Sequence, residues 1–300
     1  MNEQNKVQES GSGCLVPHSA GSHIPAITIP GNACDCHHHI YDPLRFPYHP
    51  EDRRGQPPAT VQDYRKLQTR LGTTRNVIVT PSAYGTDNRC TLDALQQMGP
   101  HSRAVVVVEQ TVTKAELSYM HDIGVRGIRF NISTGAPKNF ALIQSLAERI
   151  ADLGWHIQFW MKADDTVEMS ELLKNLACPI VFDHFGGIPL SIGIKHPAFE
   201  IMRSLLQQGK AWVKLSGVYH LSLEGPPDYS DSLSLAKAFI DIASEHVIWG
   251  SDWPHPSLYS AGKPMPNDAD LIELLVKQAS NQDLLHKILV DNPARLYDFE

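Results

Sequence analysis

Three consecutive histidines occur near the start of the chain, in the run DCHHHI at 35–40. If this run is a β-strand, its side chains alternate between two faces. Alternation predicts Asp35, His37 and His39 on one face, and Cys34, Cys36 and His38 on the other. The α-carbons of His37 and His39 would lie about 6–7 Å apart, so both imidazoles could reach one ion or one substrate atom.

Two other apolar runs end in residues that could join this pair. The run PIVFDHF at 179–185 ends in Asp183 and His184, and HVIWGSD at 246–252 ends in Asp252. A carboxylate beside imidazoles can serve as a general base or as a metal ligand. Each residue alone also has an ordinary structural explanation, such as a satisfied core histidine or a turn-forming aspartate. The combination is what indicates a catalytic site.

The elements that would position these residues alternate along the chain. Strand-like runs, separated by helix-like segments, lie at 33–40, 76–82, 103–109, 125–131, 155–161, 179–185, 211–217 and 246–252. Thr60, Thr91 and Thr113 are placed as helix N-caps. Eight such units predict an α/β fold of the (β/α)₈ TIM-barrel type, in which the strand C-termini meet at one mouth. A doubly wound sheet is the alternative, but no glycine-rich phosphate turn follows the first run.

Composition limits the class of protein. The 300 residues include 26 basic and 33 acidic side chains, a formal net charge of −7, which argues against nucleic-acid binding. The five cysteines do not form a disulfide framework, and no apolar run is long enough for a membrane span, so we expect a cytoplasmic protein. Residues 1–30 are predicted to be a mobile arm and 31–300 the barrel domain. A homo-oligomer remains an open alternative to a monomer.

The motifs HHHIYDP, DHFGG and WGSDWPHP, with VTPSAYGTDN and GVRGIRFN between them, resemble the amidohydrolase superfamily. They are most similar to its 2-pyrone-4,6-dicarboxylate lactonase-like branch. The resemblance spans about Cys34 to the C-terminus. It implies a TIM-barrel hydrolase that opens the ring of a small anionic lactone, in aromatic or sugar-acid catabolism.

The same resemblance implies roles for individual residues. The catalytic cluster would consist of His37, His39, His184 and Asp252. Asp252 would be the general base on water, and the histidines would polarise the carbonyl. The substrate-binding residues would be Tyr48, Ser82, Arg129 and Trp160, with Arg129 and Ser82 on the substrate carboxylate.

The branch that the chain resembles is implied to work without a metal, so we expect no cofactor. A two-metal site is not expected either, because His156 lies at the wrong end of its strand. A single Zn²⁺ bound by His37, His39, His184 and Asp252 remains the alternative. That version would be a zinc-dependent hydrolase or decarboxylase.

The choice of lactone is less determined than the type of reaction. Between Arg129 and Arg149 the only cation is Lys138, which argues against a substrate as charged as the pyrone dicarboxylate. A muconolactone or a sugar-acid lactone remains open. So do a lactone isomerase and a non-catalytic sugar-acid binding barrel. We interpret Lys214 as a residue whose aliphatic side chain covers apolar surface.

Overall fold

The structure is a computed structural model that describes residues 15–133 and 138–300. Eight parallel strands form one sheet in the order β1 to β8. Their bounds are Cys34–His38 (β1), Arg75–Val79 (β2), Ser102–Val106 (β3), Val125–Asn131 (β4), His156–Trp160 (β5), Ile180–Phe182 (β6), Ala211–Leu215 (β7) and Val247–Trp249 (β8). The predicted (β/α)₈ barrel is confirmed.

Backbone hydrogen bonds just beyond the last strand bring β8 against β1. The amide of Asp252 donates to the carbonyl of His37 at 2.8 Å, and the amide of His39 donates to the carbonyl of Trp253 at 2.8 Å. The first and last strands of the chain are therefore joined at the end where their polar residues lie.

Helices cover the outside of the barrel in the described residues. Their bounds are Val61–Leu71 (α1), Arg89–Met98 (α2), Lys114–Asp122 (α3), Phe140–Ala151 (α4), Ala163–Glu168 (α5), Ser170–Asn175 (α6), Pro197–Gln207 (α7), Leu233–Ala243 (α8), Pro256–Ser260 (α9), Asp268–Ala279 (α10), Gln282–His286 (α11) and Asn292–Tyr297 (α12). Thr60 and Thr113 are N-caps as predicted, and each forms a capping box, with Asp63 and Glu116 respectively. The cap predicted at Thr91 is wrong, because α2 begins earlier and the Thr91 hydroxyl bonds Thr80.

Apolar side chains fill both faces of the sheet, as the unalternating valine runs predict. On β2, Val77 and Val79 belong to the cluster inside the barrel, whereas Ile78 packs against the helices. The C-terminal residues Tyr297 and Phe299 join the inner cluster. The lower barrel is therefore a packed apolar core, and the strand C-termini gather at the upper mouth.

Residues 15–30 belong to the segment predicted to be a mobile arm, and they make defined contacts. The indole of Trp253 donates to the carbonyl of Pro17 at 2.8 Å, and the amide of Ala20 donates to the carbonyl of Pro266 at 2.8 Å. Arg70 on α1 donates to the carbonyl of Gly21 at 3.0 Å. Residues 1–14 of the predicted arm lie outside the described residues. Among the helices in residues 15–133 and 138–300, none has the length and hydropathy of a membrane span.

Candidate active site

An irregularity in β1 places the paired histidines. The pairing with β2 shifts between Asp35 and His38, so that one extra residue bulges from β1. As predicted, His38 faces the helices, where its ring stacks on Tyr64, and His37 and His39 face the mouth. The predicted face of Asp35 is wrong, since its carboxylate bonds Tyr64 and Ser251 outside the barrel. Cys34 and Cys36 lie in the inner cluster.

The other two predicted catalytic residues adopt left-handed backbone conformations. His184 has φ +49° and Asp252 has φ +62°. Side chains other than glycine rarely adopt this region, and such strain is held by surrounding structure, often at functional sites. At each position the turn directs the side chain over the end of the barrel.

The structure brings the four predicted catalytic residues together around one oxygen. Asp252 Oδ1 lies 3.5 Å from Nε2 of His37, 3.5 Å from Nε2 of His39 and 3.9 Å from Nε2 of His184. All four side chains are buried. Residues from β1, β6 and β8 that are up to 215 positions apart in the printed sequence thus meet at one point.

The two oxygens of Asp252 have different surroundings. Oδ2 accepts hydrogen bonds from the hydroxyl of Tyr219 and from Nε2 of His220, the latter at 3.2 Å. Among the described residues, no side chain hydrogen-bonds Oδ1. Burial alone would raise the pKa of Asp252, but the neighbouring imidazoles, chiefly His184 and His220, hold this pKa well below its usual range. Asp252 is therefore an ionised carboxylate with one anchored oxygen and one oxygen available for a proton.

Tyr219 continues a buried chain of polar groups behind Asp252. Its hydroxyl also lies 3.1 Å from Nδ1 of His255, and Nε2 of His255 lies 3.2 Å from the carboxylate of Asp268. Burial and the charge of Asp252 hold the pKa of Tyr219 well above its usual range, so the phenol keeps its proton. Tyr219 and His220 were not identified in the sequence. The only available signal was an aromatic and imidazole pair directly after β7.

A second buried network lies beneath the histidines. Lys214 on β7 has Nζ 3.0 Å from the Asp183 carboxylate, 3.0 Å from Oε1 of Gln158 and 3.0 Å from Nδ1 of His37. The interpretation of Lys214 as an apolar stem is wrong, because its ammonium is wholly buried among polar partners. Burial, and then the Lys214 charge, hold the pKa of His37 well below its usual range. Burial lowers the pKa of His184 to about 3. Both imidazoles are neutral at physiological pH.

A cavity of about 390 Å³ opens above Asp252, a volume suited to a small molecule. Of the predicted substrate-binding residues, Ser82, Arg129 and Trp160 line it. Tyr48 does not; its hydroxyl donates to the Gln56 carbonyl at 2.7 Å and its ring packs behind Tyr41.

A second guanidinium in the cavity was missed in the sequence. Arg54, from the loop after β1, lines the wall together with Arg129. The sequence argument against a highly charged substrate considered only the residues after β4. There Lys138 pairs instead with Asp165 at 2.6 Å. Two guanidiniums therefore line the cavity, and that of Arg54 pairs with Asp52 at 2.5 Å.

The spacing of the donor atoms fits a single metal ion, because nitrogen and oxygen ligands of tetrahedral zinc lie about 3.3 Å from one another. His37, His39 and Asp252 are one of several groups in the site with donor atoms close enough to share an ion. Nδ1 of His39 lies 2.7 Å from the Val79 carbonyl, which requires Nδ1–H and leaves a lone pair on Nε2, as a ligand needs. The hydrogen bonding of His37 does not fit a metal ligand. A lysine ammonium faces its Nδ1, so the hydrogen of the neutral ring would be on Nε2, where a ligand needs a lone pair.

The amidohydrolase family model matches residues 34–299. The chain is 35% identical to a 4-sulfomuconolactone hydrolase of Rhizobium radiobacter, covering 95% of each chain. It is 33% identical to a 2-pyrone-4,6-dicarboxylate hydrolase of Comamonas testosteroni (91% of this chain, 92% of the relative) and 29% identical to a D-galactarolactone isomerase of Agrobacterium fabrum (91% and 93%).

A solved structure shows the same relationship. The crystal structure of a probable 2-pyrone-4,6-dicarboxylic acid hydrolase from Acinetobacter baumannii, with citric acid bound, superposes with a TM-score of 0.74. The two sequences are 27% identical, and the match covers 89% of this chain and 100% of that one. The chain therefore belongs to the amidohydrolase family, in its 2-pyrone-4,6-dicarboxylate lactonase-like branch.

Proposed function

We propose that this protein is a hydrolase that opens the ring of an anionic lactone without a metal, with Asp252 as the general base. One observation carries the proposal: an ionised Asp252, with a free Oδ1, lies at the floor of a cavity whose walls hold Arg54 and Arg129. The similarity to two lactone hydrolases of anionic substrates supports the same substrate class.

The attacking water would lie between Asp252 Oδ1 and Nε2 of His39. These two atoms are 3.5 Å apart and both accept hydrogen bonds, so together they can bind the two hydrogens of one water molecule. This assigns His39 to orienting the water rather than to polarising the carbonyl. On the other side of Asp252, His184 has Nδ1 2.8 Å from the Ser216 hydroxyl. When that hydroxyl donates, His184 carries its proton on Nε2 and can donate to the lactone carbonyl.

The reaction then needs one proton to pass through Asp252. As water attacks the carbonyl carbon, Asp252 takes a water proton and negative charge develops on the carbonyl oxygen, opposite His184. The tetrahedral species collapses, the bond from the carbonyl carbon to the ring oxygen breaks, and that oxygen receives the proton from Asp252. The product is a hydroxy acid, and Asp252 returns to its ionised state.

The substrate's anionic groups would be bound by the cavity wall. Arg129 and Ser82 would hold the carboxylate nearest the reacting carbonyl, and Trp160 would flank the ring. Arg54 reaches the cavity from the loop after β1 and would bind a second anionic group. A dianionic lactone, carrying two carboxylates or a carboxylate and a sulfonate, satisfies both guanidiniums.

The test is a panel of monoanionic and dianionic lactones, assayed with chelator-treated enzyme and with Asp252→Asn. A general base contributes about 10²–10⁴-fold, so we expect the variant to lose at least 100-fold in kcat while the fold is retained. Asp228→Asn is the matched control, because its carboxylate pairs with Lys277 on the exposed surface, away from the cavity. Full activity in Asp252→Asn would reject Asp252 as the base.

Two other candidates are each favoured by one observation. Donor spacing favours a zinc hydrolase, in which His184, His220 and Asp252 would hold the ion and the ion would polarise the carbonyl. Loss of activity on chelation, restored by zinc, would support it. Similarity to a galactarolactone isomerase favours transfer of the acyl group between hydroxyls. Turnover in ¹⁸O-labelled water separates the two reactions, since only hydrolysis places ¹⁸O in the product.

A further inference from the structure

Below His37, the ion pair between Lys214 and Asp183 is bridged by hydrogen bonds from a third side chain, Gln158. Gln158 donates through Nε2 to the Asp183 carboxylate at 2.9 Å and accepts through Oε1 from Lys214 at 3.0 Å. Its amide cannot be reversed, because the NH₂ group would then face the Lys214 ammonium. Gln158, Asp183 and Lys214 are all fully buried. The ammonium is therefore fixed in position and orientation.

This arrangement determines which nitrogen of His37 carries the proton. An ammonium group donates and cannot accept, so the 3.0 Å contact between Lys214 and His37 Nδ1 requires an unprotonated Nδ1. Asp183 Oδ1 lies 3.2 Å from the same nitrogen, but its charge is balanced by the Lys214 ammonium, which lies closer to it, at 3.0 Å. A neutral His37 then carries its hydrogen on Nε2.

The Nε2 atom of His37 points upward, toward the reactive carboxylate. It is buried, makes no hydrogen bond within the described part of the chain, and has Asp252 Oδ1 as a neighbour at 3.5 Å. His37 does not line the cavity. An N–H at this position supports the Asp252 carboxylate from below, whereas a metal ligand would need a lone pair there.

We propose that Lys214 fixes His37 as a hydrogen-bond donor to Asp252 through Nε2–H, and that this lysine keeps the His-x-His pair from acting as a metal site. Lys214 is a positioning residue, since it acts only through His37. The inference deepens the proposed function by naming the residue that makes the chemistry metal-independent. Its decisive readouts need no substrate.

The first test uses the native protein. Nitrogen-15 NMR of histidine-labelled enzyme distinguishes the two neutral tautomers, with Asp252→Asn and His37→Gln used to assign the His37 signals. We expect His37 to be protonated at Nε2 and His39 at Nδ1. A His37 signal protonated at Nδ1 would overturn the proposal, whether or not any variant of Lys214 folds.

The second test measures zinc affinity by titration of Lys214→Met. With the ammonium removed, Nδ1–H of His37 can turn to the Asp183 carboxylate, and Nε2 gains a lone pair. We expect the His37 tautomer to change and zinc to bind at least tenfold more tightly than to the native protein. Lys210→Met, which removes a half-buried lysine just before the same strand whose ammonium bonds the Lys174 backbone carbonyl, is the matched control and should leave both readouts unchanged.

A variant with a buried, unbalanced Asp183 can fail to fold, so Lys214→Met/Asp183→Asn, which removes both charges, accompanies it. Here the side-chain carbonyl of the introduced asparagine takes the role of the carboxylate, and the same gain in zinc affinity is expected. Unchanged affinity in both variants, or stoichiometric zinc in the native protein, would contradict the proposal. If the native tautomer is as expected but no lactone is opened, the proposed function fails and this assignment stands.

Discussion

Tyr219→Phe removes one hydroxyl from the anchored side of the proposed base. That hydroxyl donates to Asp252 Oδ2, and His220 is the other donor to the same oxygen. A hydrogen bond to a charged group contributes about 1.5–3 kcal/mol. Because 1.36 kcal/mol corresponds to one pKa unit, the substitution should raise the pKa of Asp252 by about 1–2 units.

The sign of the effect on activity follows from the role of Asp252. A general base must be unprotonated, so kcat/KM falls as the pH drops through its pKa. The pKa of Asp252 is held well below its usual range, so we expect the native enzyme to keep its activity as the pH is lowered into the acidic range. The acid limb of Tyr219→Phe should lie about 1–2 pH units higher, as measured by kcat/KM down to the lowest pH at which the fold is retained.

Tyr48→Phe is the matched control, since it also removes a phenolic hydroxyl near the mouth. That hydroxyl donates to the Gln56 backbone carbonyl and does not contact Asp252. Its loss should leave the acid limb in place. The reasoning is refuted if Tyr219→Phe lowers kcat while its acid limb stays at the native position, because the hydroxyl would then act on the substrate and not on the base.

Two further substitutions test the cavity wall and the contact between β1 and the residues that follow β8, where Asp35 bonds Ser251. Arg54→Met should raise KM for a dianionic lactone about 10–100-fold, the loss expected for one charge-assisted hydrogen bond, and should leave KM for a monoanionic lactone nearly unchanged; equal effects on both would exclude a second anion subsite. Burial raises the pKa of Asp35 to about 6, so its contribution to the free energy of unfolding falls by about 2 kcal/mol as the pH rises from 4 to 6. The free energy of unfolding in urea should be measured for the native protein and for Asp35→Asn at each pH. The difference between the two values should show that decline, and a difference that does not change with pH would contradict the prediction.

The barrel and the meeting of His37, His39, His184 and Asp252 at its mouth could be predicted because few assumptions were needed. Apolar runs without alternation indicate buried parallel strands, and a (β/α)₈ barrel gathers their C-terminal ends. His184 and Asp252 follow their strands directly, so locating the strands also locates the residues. The alternation rule fails at Asp35 for a physical reason. The bulge in β1 depends on pairing with β2, which leaves no local signal in the run of histidines.

The residues that were missed are supplied by loops or by strand register. Arg54 lies 16 positions after β1 in a proline-rich loop, and only the folded path of that loop directs it into the cavity. Tyr219 and His220 lie in a short turn after β7 whose direction is not encoded by periodicity. Lys214 sits between valine and leucine on a strand, so its ammonium could be interpreted only after Asp183 and Gln158 were placed beside it.

The histidine and aspartate motif alone does not determine whether the site uses a metal ion. A His-x-His pair with a third histidine and an aspartate suits either zinc or metal-free hydrolysis, because the same atoms can be ligands or hydrogen-bonding groups. The difference lies at the far nitrogen of each imidazole. His39 has a carbonyl there, which frees Nε2 as an acceptor. His37 has an ammonium there, supplied from 177 positions away in the chain, which makes Nε2 a donor. Metal dependence in such a site should therefore follow the residue at position 214 more closely than the histidines themselves.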